Sequence, residues 1–111
     1  MNEQEMERAL HYLKLNSDKY AKARAQAEYL KEFRKSKKAL LINEAEIKGR
    51  KTQQERESYA YSHNEYIEVL EGIKVAQEVA EKLRMMVKAA ELQIDIWKTN
   101  QMKVMAEMKL R

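Results

Sequence analysis

A chain of 111 residues with no proline, only two glycines and an abundance of Ala, Glu, Lys, Leu and Met leaves room for one helical domain and excludes a sheet. The absence of cysteine excludes a disulfide framework and a thiolate metal site. Net charge is +4 but unevenly placed: residues 19–51 carry a net +7 and residues 52–81 a net −5, with −2 before them and +4 after.

Neighbouring segments of opposite sign are suited to lie antiparallel, so the charge serves the fold before it serves a ligand. The N-terminal stretch MNEQEMERALHYLKL is acidic where a secretory signal would be basic, and no apolar run reaches the length of a bilayer. A soluble protein with no membrane partner is the expectation.

Residues 3–15 predict a short amphipathic helix, with Met6, Leu10 and Leu13 at helical spacing and Ala9 beside them. Asn16 and Ser17 interrupt it, Ser17 serving as N-cap of a second helix over residues 18–48 with Asp18 in its first turn. The apolar arc of that helix gathers Ala23, Leu30, Phe33, Leu40, Leu41 and Ile47, with Tyr29 at its margin. Gly49 stands where a helix ends in a left-handed residue, and residues 49–52 make the turn.

Thr52 with Glu55 three residues on predicts a capping box opening a third helix over residues 53–110. Ser62 with Glu65 repeats the spacing, so the helix is either interrupted near Ser62 or unbroken. Its apolar seam, carried back through Ser62 and Tyr59, favours the unbroken form. Gly72 inside it costs about 1 kcal/mol relative to Ala, which close approach by a neighbouring backbone would offset.

The seam itself recurs in steps of four and three: Tyr66, Val69, Ile73, Ala76, Ala80, Leu83, Val87, Ala90, Ile94, Trp97, Gln101, Val104 and Met108, broken only by Gln101. A period of 3.5 over this length predicts a long helix packed on another helix. The fold class is therefore all-α: a long, coiled-coil-like antiparallel hairpin preceded by a short helix. Length matching lets the second helix cover the third only to about Leu83. Leu83, Met86, Val87, Ile94, Trp97, Val104 and Met108 then form a stripe, with only the short first helix to cover part of it, that calls for a second copy, as a homodimer or higher homo-oligomer, or for another protein. Five of the seven methionines fall in this last stretch, a soft surface suited to a partner as well as to a core.

Arg24, Lys31, Lys35 and Lys38, flanked by Arg34 and Lys37, share a narrow arc of the second helix along which a phosphate backbone could run. A solvated face that answers the acidic part of the third helix is the simpler reading and is weighed ahead of it. Glu7 and His11 lie one turn apart, yet no further ligand completes a metal set. Nothing matches a nucleophile elbow, a phosphate-cradling loop or a metalloprotease helix. No catalytic residue, cofactor or metal is expected, and an enzyme is not.

Two stretches, ALHYLKLNSDKYAKARAQAEYLKEFRKSKKAL and AELQIDIWKTNQ, resemble a group of small helical proteins of temperate bacteriophages encoded in the early region near recombination genes. The residues that carry the resemblance are His11, Tyr12, Leu13, Ser17, Asp18, Tyr20, Ala21, the run from Arg34 to Lys38, and Ala90, Glu91, Leu92, Ile94 and Trp97. It implies a phage protein in the cytoplasm of a bacterial host, connected with DNA transactions, and assigns no catalytic residue. The leading expectation is a non-enzymatic interaction protein acting on a recombination, nuclease or host-defence protein. Direct nucleic-acid binding by the basic arc, and a purely structural or chaperone-like coiled coil, are the alternatives.

Overall fold

The computed structural model describes residues 2–110. They form three helices, α1 (Glu3–Ile47), α2 (Gln53–Ser62) and α3 (Asn64–Leu110), and no strand is present among the described residues. Contacts divide the chain into two compact units. One is Ala23–Ala80, and the other joins the chain up to Lys22 with the chain from Glu81 onward.

The expected break at Asn16 and Ser17 does not occur. α1 runs through both residues, because the Asn16 side chain satisfies itself on its own helix: Nδ2 donates to the Tyr12 carbonyl at 2.9 Å. With no proline or glycine nearby, nothing forces the backbone out of helical geometry. The short first helix and the second helix are thus one element of 45 residues. Its N-cap is Asn2, whose Oδ1 accepts from the Glu5 amide at 2.8 Å.

At the other end of α1 the glycine acts as expected. Gly49 adopts φ +93, its amide donates to the Glu46 carbonyl, and the Arg50 amide reaches back to Ala45, both at 3.0 Å. This double closure satisfies two carbonyls that the helix end leaves open. Thr52 then caps α2, its Oγ1 accepting from the Glu55 amide at 3.1 Å. The reciprocal half of the capping box moves one residue back, since Glu55 Oε2 accepts from the Lys51 amide and not from that of Thr52.

The third expected helix is interrupted, and the unbroken alternative is corrected. His63 is extended at φ −70, ψ 136 and separates α2 from α3. It also performs the cap expected of Ser62. Its carbonyl accepts from Tyr66 and Ile67, and its Nδ1 from the Glu65 amide, each at 3.1 Å. The Ser62 hydroxyl instead donates back to the Ser58 carbonyl at 2.7 Å.

Within Ala23–Ala80 the helices run antiparallel, as the pairs Leu30–Gly72, Lys37–Glu65 and Lys48–Tyr59 require. The core there is Leu41, Ala60 and Tyr66 with Ile42 packed against it, joined along the same helices by buried Ala27, Ala45 and Ile73. The predicted arc on α1 is rotated from the true one: Leu41 is 2% exposed, but Leu40 is 61% exposed, and Phe33, Tyr29 and Ile47 also face out. A Cβ added at Gly72 would meet only the end of the Leu30 side chain, at 4.0 Å, and no backbone of a neighbouring helix, so the close backbone approach does not form.

In the other unit Met6, Asn16, Ala90 and Ile94 are buried, and Ala9 and Tyr12 share a recess with Met86, Ala89, Ala90 and Gln93. That register is again antiparallel. We expect Leu41→Ala to lower the free energy of unfolding by about 2 to 5 kcal/mol, and Leu40→Ala to change it by less than about 0.5 kcal/mol, in urea denaturation. Equal losses would place the packed face where the sequence pattern alone put it.

Candidate functional site

Two surfaces carry the candidate residues, one in each unit. In Ala23–Ala80 the basic arc is largely drawn into the fold. Lys37 Nζ stands 2.8 Å from Glu65 Oε2, crossing from α1 to α3, and its side chain is only 21% exposed. Lys38 is half-buried, with its ammonium 4.6 Å from the centre of the Tyr61 ring. Tyr61 in turn sets its ring edge against buried Tyr66 at 5.4 Å. A lysine can take such a position because its stem buries along apolar surface while its head stays wet.

Lys31 and Lys35 pair along their own helix with Glu28 at 3.5 Å and Glu32 at 3.3 Å. Arg24 and Arg34 are exposed and without an ion pair among the described residues. The six residues therefore do not present one continuous cationic track: two brace the hairpin, two answer glutamates beside them and two stand apart.

The charges respond accordingly. Contact with the Tyr61 hydroxyl raises Lys38 above the ordinary lysine value, with partial burial opposing it. The hydrogen bond from Lys37 holds the Glu65 carboxyl below the usual glutamate range. At the turn Lys48 does the same for Glu44, and Lys48 is itself raised by its hydrogen bond to Tyr59 Oη at 3.0 Å. Arg50 also stands near the Tyr59 ring, 5.9 Å from its centre. A recess of about 560 Å³ opens beside it, lined by Arg50, Thr52, Gln54, Glu55, Ser58, Tyr59 and Ser62. Pattern reading did not single out this tyrosine with two cations near its ring, because the three meet only after Gly49 reverses the chain.

The second surface lies on α3 in the unit formed by the chain ends. The predicted interface residues divide there. Ile94 is buried and Leu83, Met86, Val87 and Trp97 are half-buried, whereas Val104 and Met108 are exposed. The start of α1, continuous through Asn16, packs against this part of α3, where the short first helix was expected to cover part of the stripe. After Trp97 the cover stops, and every residue from 98 to 110 is exposed. Met102, Val104, Met105, Met108 and Leu110 are the apolar side chains left there.

Among the described residues no group of three or more His, Asp or Glu side chains is placed to hold a metal, and no helix is long and apolar enough to cross a membrane. Compared with protein-family models, curated proteins and solved structures, the chain matches none.

Two outcomes follow from the lysine geometry. Lys38→Gln should lower the melting temperature more at low salt than at high salt, whereas Lys35→Gln should leave it unchanged, because its pair is exposed and local. Equal effects would return both lysines to a common ligand-binding face. Glu65 and Glu44, held below their ordinary range, favour the fold above that range, and their contribution is lost as pH falls through the lowered values. Thermal unfolding followed downward from neutral pH should show this loss, and Lys37→Gln should make it smaller.

Proposed function

We propose that the protein is a non-enzymatic helical interaction protein that self-associates through the end of α3. The observation that carries this reading is the apolar seam that continues past Trp97 with no helix covering it among the described residues. Val104 and Met108 keep the same four-and-three spacing as buried Ile94, so the segment is patterned to meet a helix. A row of exposed methionines suits that role, since the flexible thioether side chain adapts to the surface it meets. Self-association supplies burial that a two-helix layer lacks.

The resemblance to temperate-phage early-region proteins supports a setting in the cytoplasm of a bacterial host. The assembled form then acts on a recombination, nuclease or host-defence protein. Direct binding of nucleic acid falls behind this reading, because Lys37 and Lys38 are taken up by Glu65 and Tyr61.

Light scattering at micromolar concentration should give a mass of at least twice 13.2 kDa, and removal of residues 98–111 should reduce it to that of one chain. A full-length monomer with a cooperative thermal transition would contradict the proposal. So would a shortened chain that still associates.

A further inference from the structure

Among the described residues no close contact offsets the cost of Gly72 inside α3. A Cβ there would meet only the Leu30 Cδ1 at 4.0 Å, so alanine fits, and alanine is the better helix former. What the missing side chain leaves is a recess of about 370 Å³ between α1 and α3, walled by Leu30 and Phe33 on one side and by Val69 and Gly72 on the other. Phe33 is 38% exposed and stacks on Tyr29 with ring centres 6.3 Å apart, so an aromatic pair borders the opening. Lys37 is taken up by Glu65 at 2.8 Å, which leaves Glu68, exposed and without an ion pair among the described residues, as the unanswered charge of the lining. Such a recess suits an unbranched apolar side chain with a cation beside it.

We propose that it receives the end of α3 from a second copy, with Met102 and Met105 seated over Gly72 and Phe33 and a lysine of the same face against Glu68. The inference rests on the self-association proposed above and names the surface on which that segment docks. Lys98, Met102, Met105 and Lys109 follow in steps of four, three and four, so they line one face of the helix, and all four are exposed. Met105 and Met108, three apart, join this face to the seam.

The chemistry of the two surfaces agrees. A methionine reaches into an irregular gap because its side chain is unbranched, and its sulfur is attracted to an aromatic ring such as that of Phe33. Residues 52–81, which supply the α3 wall, carry a net −5, and residues 82–111 carry a net +4. The contact is heterologous, each copy giving one segment and taking one.

That asymmetry sets the test, made on full-length chains. In one variant Gly72→Leu fills the recess and leaves the tail intact. In the other Met102→Glu with Met105→Glu puts carboxylates on the docking face and leaves the recess intact. Each variant alone should self-associate about tenfold more weakly than the unaltered chain by light scattering, while an equimolar mixture forms a species of twice 13.2 kDa, because the tail of the first meets the recess of the second. Gly72→Ala should raise the melting temperature by about 4 °C, and a lowered one would give the glycine an internal role and overturn the inference. A mixture that stays monomeric, or Gly72→Leu copies that associate as the unaltered chain does, would overturn the docking and leave self-association standing. Where Gly72→Leu does not fold, Glu68→Lys takes its place in the same mixture. An unaltered chain that is monomeric at every concentration would overturn both.

Discussion

Two helices laid side by side hide only the faces they turn to each other, and the rest of this structure follows from that limit. With no third wall, each unit keeps one narrow line of buried side chains: Met6, Ala27, Leu41 and Ala45 from α1, and Ala60, Tyr66, Ile73, Ala90 and Ile94 from α2 and α3. Four of these nine are alanines, which bring little apolar area, at about 25 cal/mol for each Å² removed from water. Stability therefore depends on the few large members of the line and on what is borrowed at its edges.

The edges are where the charged residues matter. Lys37 bridges to Glu65, Lys38 lies against Tyr61, and Lys48 joins Glu44 and Tyr59, so two lysines of α1 and one just past its end reach across to α2 or α3. Lys37 and Lys38, both half-buried, keep their charged ends at the surface while their stems lie beside an apolar line too thin to close itself. The opposite net charges of the two neighbouring segments thus have a structural use at named contacts. The same use takes the central members of the basic arc away from any extended anionic ligand.

Much of this was legible from residue spacing, for reasons that are local. Gly49 with its left-handed backbone, Thr52 as a cap and the seam from Tyr66 to Ile94 are each set within a turn or two of helix, where a few residue types dominate the geometry. What was not legible depended on partners or on unusual use of a side chain. Asn16 reads as a breaker but turns back onto the Tyr12 carbonyl and stays helical; His63, to which the sequence pattern gave no role, accepts the Glu65 amide through its ring nitrogen. The arc of α1 was misplaced because Lys37 and Lys38 occupy the inward face where apolar residues were sought, sending Phe33 and Leu40 outward. Of the candidate interface, how far the start of α1 covers the stretch to Trp97 depends on how the two helices pack, which spacing alone does not give.

Self-association through the end of α3, as proposed, requires that residues 98–110 form a helix held by a second chain. A helical extension of this length with no tertiary cover is marginal in water. Amide hydrogen exchange read residue by residue, at high protein concentration and after dilution below the association range, tests that claim most directly. Slow exchange across Lys98 to Leu110 in the concentrated sample, falling to that of an open chain on dilution while Leu41 and its neighbours stay protected, is the predicted result. Exchange of the tail that is equally fast, or equally slow, at both concentrations would contradict it.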